Sequence, residues 1–213
     1  MLKIKSFSDV AYEEIKNRII KGIYKPGESL NERNISSDFG ISRTPVREAL
    51  QKLSLEGWII NEPYKKNQVR EFNLDYIIEA QKVRSVLEVL AFKESSEKFT
   101  NDDLECLKNI TQKQQNALDY DEFIKIDREF HEYVYAKTEN SLLISLMENI
   151  NDIIRYFGLI AINLPNRNKE TLEEHLNILK ALELKDVEKI TKAVEIHMEN
   201  TTNAIIERYR TKK

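Results

Sequence analysis

The sequence is poor in the residues that cross-link or interrupt a chain. Cys106 is the one cysteine among 213 residues, so no intramolecular disulfide can form and a reducing cytoplasm is the expected setting. Its thiol reads as a small core hydrophobe. Five glycines and four prolines exclude a collagen-like or low-complexity chain and leave too few turns for a β-rich fold. No apolar run approaches the roughly 20 residues that span a bilayer; stretches such as 157–162 are the longest. The first ten residues lack both an apolar signal core and a small-residue cleavage site. Neither a membrane span nor export is expected. The composition that remains, 32% charged and 41% hydrophobic, suits a mainly α protein.

Charge and punctuation divide the chain near Arg70. Residues 1–70 hold 13 Lys/Arg against 9 Asp/Glu, net +4, whereas the rest holds 20 against 27, net −7. Four of the glycines and three of the prolines fall in the first 63 residues. A turn-rich basic domain over 1–70, a linker over 71–73 and an all-helical acidic domain over 74–213 follow.

In the first domain, Ala11, Ile15 and Ile19 recur at helical spacing from Ser8, and Gly22 can end that helix. Pro26-Gly27 predicts a tight turn. Asn31 can cap a short helix with Ile35 and Phe39 inward, and Gly40 supplies a left-handed stop. Ser42 or Thr44 can cap a third helix with Pro45 in its first turn and an apolar stripe of Val46, Ala49, Leu50 and Leu53. Two helices joined at Gly40-Ile41 form a helix-turn-helix, and WIINEPYKKNQVR reads as a two-stranded wing with Lys65 and Lys66 at its tip. Arg43, Thr44 and Arg47 open the third helix, where a recognition helix presents side chains to base edges, and arginine suits bidentate pairing with guanine. Lys65 and Lys66 suit phosphate or minor-groove contact. Glu48 is expected to meet neighbours of Arg47 or solvent.

The segments KPGESLNER and FGISRTPVREALQKLSLEGWI resemble the winged helix-turn-helix of GntR-family bacterial transcription regulators. The resemblance implies operator binding and adds Arg33, on the second helix, to the DNA contacts. One departure concerns the wing tip, Lys66-Asn67 here, where that family commonly carries Arg-Gly.

Residues 74–213 read as six or seven helices in an antiparallel bundle. The first passes through Leu74, Ile77, Ile78, Val83, Leu87 and Leu90; Thr100 with Asp103 forms a capping box for the second; later helices begin near Asp121, Asn140 or Ser141, Glu170 and Asp186. The three histidines of the chain, His131, His175 and His197, each lie in an apolar helical frame, and Asp127 shares a helix face with His131. Three inward imidazoles and a carboxylate suit zinc, nickel or another borderline divalent metal with positions left open. DREFHEYVYAKTENSLL, EEHLNILKALELKDVEKI and VEIHMEN resemble the FCD effector-binding domain of the FadR subfamily. In its metal-binding branch, positions matching Asp127, His131, His175 and His197 hold the ion. The resemblance also implies a cavity-facing arginine at Arg84, suited to grip a carboxylate, against which stands an intrahelical pair with Glu88. Arg155 is a second candidate on an apolar helix.

The expected function is a homodimeric, ligand-responsive regulator, most simply a repressor of metabolic genes, with a near-palindromic operator, a small organic acid effector and a metal. The alternatives are a metalloenzyme, for which the HExxH run, phosphate loop and nucleophile elbow are all missing, and a metal that only staples the bundle.

Overall fold

The computed structural model describes residues 5–61, 67–161 and 164–211, which separate into two compact units at Asn73 and Leu74. Unit 1 contains α1 (Phe7–Ile20), α2 (Glu32–Phe39), α3 (Arg43–Leu55), β1 (Ile59–Ile60) and β2 (Gln68–Val69). The α1 helix begins one residue before Ser8 because Ser6 caps it, its side chain accepting from the Asp9 N–H while Asp9 answers to the Ser6 backbone. Asn31 caps α2 by accepting from the Arg33 N–H, and Gly40 closes it at φ 65°. Ser42 occupies the cap position of α3 without a side-chain bond. Ala11, Ile15, Val46, Leu50, Leu53 and Trp58 are buried together in the core of this unit.

The strands pair antiparallel with Ile59 opposite Val69. The turn before α2 lies along β2, since Gly27 donates to the Val69 carbonyl and Val69 to the Glu28 carbonyl, both at 2.9 Å. Gly27 sits at φ 79°, a left-handed conformation that strains any other residue. Residues 71–73, expected as a linker, cluster with unit 1, where Phe72 packs edge-on against Trp58 at 5.4 Å between centroids. The wing tip, including Lys65 and Lys66, lies outside the described residues.

Unit 2 contains α4 (Leu74–Ser96), α5 (Asn101–Gln115), α6 (Tyr120–Thr138), α7 (Ser141–Ala161), α8 (Arg167–Glu183) and α9 (Val187–Thr211), six helices among the described residues. Thr100 and Asp103 form the expected capping box. Asp119 caps α6, which begins at Tyr120 beside the expected Asp121, Asn140 accepts from the Leu143 N–H at the start of α7, and Asp186 from the Lys189 N–H at the start of α9. The α8 helix starts earlier than Glu170, directly after Asn166 at φ 65°, which brings Arg167 into it. Phe92, Leu107, Phe130, Met147, Ile178 and Val194 are fully buried in its core. No described helix is long and apolar enough to cross a membrane.

The α4 helix keeps part of the expected apolar stripe, with Ile77 buried, and departs from it at two positions. Val83 is 53% and Leu90 40% exposed, while Gln81, Arg84, Glu88 and Ser95 are buried. Positions 81, 84, 88 and 95 share one face at helical spacing, and 83 and 90 lie away from it. The face that α4 buries carries these polar side chains among Ile77, Ala91 and Phe92, and Glu88 on it borders the candidate site.

Candidate metal site and nucleic-acid face

The three histidines of unit 2 meet although α6, α8 and α9 deliver them separately. Their ligand nitrogens lie within 4.8 Å of one another, and all three rings are buried. Each Nδ1 has its own acceptor: Glu88 Oε2 at 3.0 Å for His131, Gln114 Oε1 at 2.8 Å for His175, and Glu174 Oε2 at 2.7 Å for His197. A neutral imidazole that donates through Nδ1 carries its lone pair on Nε2. Burial pushes His175 well below the ordinary histidine range and lowers His197 as well, which favours that neutral form. Nε2 of His131 and of His175 is buried and has no hydrogen-bond partner.

Asp127 borders this set rather than joining the mutual triad. Its Oδ1 lies 3.5 Å from His175 Nε2 and accepts from Gln114 Nε2 at 3.1 Å. Burial would raise its carboxyl, but the surrounding imidazoles and Arg84 outweigh that and hold it below the usual range. Gln114 therefore orients two site residues, accepting from His175 through Oε1 and donating to Asp127 through Nε2.

The supporting carboxylates are themselves anchored. Glu88 Oε1 accepts from Arg84 Nε at 3.0 Å and from the Tyr135 hydroxyl at 2.5 Å. Glu174 is gripped by both ends of Arg167, at 2.7 and 2.9 Å, and by Asn200 Nδ2 at 2.8 Å. Both carboxyls are held below their ordinary values: burial opposes this, but His131 and Arg84 prevail at Glu88, and His197 and Arg167 at Glu174. Gln114, Glu174 and Arg167 escaped the sequence reading, and Glu88 entered it only as a partner of Arg84. That pair with Arg84 is present and buried. It occupies one of the five N–H donors of a guanidinium. Arg155 belongs to α7, but its side chain falls outside the described residues.

In unit 1, Arg33, Arg43, Thr44 and Arg47 are all exposed. Arg33, Arg43 and Arg47 line a concavity of ≈ 470 Å³ together with Glu32, Asn61 and Asn67. Arg47 is held by Glu32 of α2, its Nε donating to Oε1 at 3.1 Å and Nη2 to Oε2 at 2.9 Å. Glu48 is exposed. The acid that meets Arg47 thus lies fifteen residues back on another helix, beyond the reach of local spacing.

A helix-turn-helix with a wing and a separate helical unit built around clustered imidazoles define a two-domain regulator. Residues 7–65 match the bacterial regulatory proteins of the gntR family and residues 79–200 match the FCD domain. The chain belongs to the GntR family of DNA-binding transcription regulators and carries an FCD domain. It is 27% identical over 190 residues to the HTH-type regulator YdhC of Bacillus subtilis, covering 87% of this chain and 85% of that one. It is 31% identical over 182 residues to the gluconate operon transcriptional repressor of the same species, with 82% and 72% covered. The structure of Escherichia coli McbR/YncC superposes with a TM-score of 0.82 at 24% identity, covering 97% of this chain and all of that one. The matched families and relatives are transcription regulators, not enzymes. GntR regulators bind operator DNA, and FCD domains bind small-molecule effectors and are associated with metal binding.

Proposed function

We propose that this chain is a homodimeric repressor of the FadR subfamily that acts in the cytoplasm on a near-palindromic operator of metabolic genes. A small organic acid, bound at a metal held by Asp127, His131, His175 and His197, sets its affinity for DNA. The observation that carries the metal is the pair of buried Nε2 atoms on His131 and His175 that no hydrogen bond satisfies. A buried nitrogen lone pair without a partner is costly, and a divalent ion resolves that cost for a triad whose Nδ1 atoms are already committed. The donor set suits zinc or nickel. When bound, such an ion supplies a Lewis-acid centre for a carboxylate oxygen. Arg84 offers a second anchor to the acid, with Arg155 a further candidate; Arg33, Arg43, Thr44 and Arg47, with Lys65 and Lys66, contact the operator.

Dimerisation is supported by exposed apolar side chains on two adjacent helices: Val83, Val86 and Leu90 on α4, Leu142 and Leu146 on α7, between 40% and 69% exposed. Large exposed apolar side chains of this kind suit burial against a second copy of the chain.

The test is calorimetry of organic acids on zinc-loaded protein with and without operator DNA. A regulator shows no turnover and a reciprocal coupling of about 1–3 kcal/mol between acid and operator. Equal acid affinity with and without operator would leave the metal a structural or catalytic role and remove the regulatory reading for that acid.

A further inference from the structure

We infer that Gln81 forms a subsite that accepts a hydrogen bond from the effector, so that the effector is an organic acid bearing a hydroxyl or similar donor beside its carboxylate. This inference rests on the effector reading given above. Gln81 is 2% exposed, and its Oε1 is buried without any hydrogen-bond partner. It shares the inward face of α4 with Arg84 and Glu88, three and seven residues further on. The other two are engaged, Glu88 by His131, Tyr135 and Arg84, and Arg84 by Glu88. The polar row that begins beside the imidazole cluster therefore ends, one turn beyond Arg84, in an acceptor with nothing to accept.

Packing does not explain an amide there. Leucine or methionine would fill similar volume without burying a carbonyl, and an unsatisfied buried acceptor costs a factor of roughly 10 to 100 in the equilibrium it opposes. A donor arriving with the ligand removes that cost. The amide is also neutral, so it neither competes for a divalent ion nor repels an acid gripped by Arg84. An acid that lacks the donor leaves Oε1 unpaired, and a site built to hydrogen-bond one group discriminates strongly against the analogue without it.

The experiment measures binding of matched acids to the zinc-loaded full chain by calorimetry: lactate against propionate, and malate against succinate. Wild type should bind the hydroxylated member of at least one pair about 10- to 100-fold more tightly. A hydroxyl can also chelate the ion, so the decisive reading is the part of the preference that Gln81 controls. In Gln81→Met and Gln81→Leu the hydroxylated acid should fall towards its partner's affinity while the unsubstituted acid keeps its own. Melting of both zinc-loaded variants at or above the wild-type temperature shows that each has folded. Equal affinities within each pair in wild type, or a preference that survives in both variants, overturns the inference while leaving the acid site intact. Binding of zinc without binding of any of the four acids overturns the carboxylate reading, and this inference with it.

Discussion

The two units handle arginine in opposite ways. In unit 1, Arg33, Arg43 and Arg47 are exposed, and Arg47 is tied to one partly exposed acid, Glu32. In unit 2, Arg84 and Arg167 are buried, each 4% exposed and each clamped to a carboxylate that itself holds a histidine. An exposed guanidinium remains hydrated and can trade its partner for a base edge or phosphate at little cost. A buried one has surrendered its water and must be satisfied continuously. The first arrangement suits reading a surface, and the second suits fixing a geometry.

The sharpest way to break the comparison is to remove an imidazole. Wild-type protein purified without strong chelators is expected to hold about one divalent ion per chain. His175→Ala should bring the metal content near background and lower the melting temperature, because binding to the native state alone stabilises it by mass action. Unchanged metal content in separate His131, His175 and His197 variants would reduce the cluster to packing. On the exposed side, Arg43→Ala or Arg47→Ala should weaken specific operator binding by about 1–3 kcal/mol per lost base contact without loss of fold. Lys65→Ala should weaken all sequences alike and flatten the salt dependence. Operator affinity unaltered in both arginine variants would remove the recognition-helix assignment.

A smaller effect separates positioning from ligation. Glu174→Gln keeps an acceptor for the His197 Nδ1–H but loses the charge that Arg167 grips, and outer-shell changes of this kind typically cost about 10- to 100-fold in metal affinity. Titration with a competing chelator reads the loss directly. Metal affinity equal to wild type would make the Arg167 and Glu174 pair a strut of α8 alone.

The contrast also explains what the sequence could tell. Unit 1 was legible because its signals are local: Asn31, Gly40 and the stripe from Val46 to Leu53 each act within a few residues, and α2 and α3 lie where those signals put them. The histidine triad was legible because imidazoles are scarce and each sat in an apolar frame. Its supports were not. Gln114 meets His175 across 61 residues and Glu88 meets His131 across 43, distances that no helical period encodes. The α4 helix misled at two positions for the same reason. An apolar-stripe reading turns Val83 and Leu90 inward, whereas a polar site claims that face for Gln81, Arg84 and Glu88 and leaves the valine and leucine outside.

The same short motif tests the comparison at its weakest point. Ser6 with Asp9 and Thr100 with Asp103 are both capping boxes, but one stands in solvent and the other is built into a fold. Asp9 bonds only within its own turn. Asp103 accepts from the Thr100 N–H at 2.9 Å and hydroxyl at 2.7 Å, from the Tyr133 hydroxyl of α6 at 2.6 Å, and pairs with Lys137 of α6. These partners, Lys137 and Tyr133 foremost, hold the Asp103 carboxyl far below its ordinary 3.8. A folded-state value below the unfolded one means that the native state binds its proton later. The stability that Asp103 contributes is therefore complete above about pH 4 and is lost as pH falls below it, through the depressed folded value. Asp103→Asn should cost about 1–2 kcal/mol at neutral pH, since hydrogen bonds to a charged acceptor are replaced by weaker ones, and should flatten the acid side of the unfolding profile. Asp9→Asn should do so less, although its carboxyl is also lowered by Ser6, because water replaces what that turn supplies. Urea unfolding of both variants from pH 2 to pH 7 measures the two slopes. Equal losses would show that the box stabilises only its own helix, and that the bonds from α5 to α6 add nothing beyond the cap.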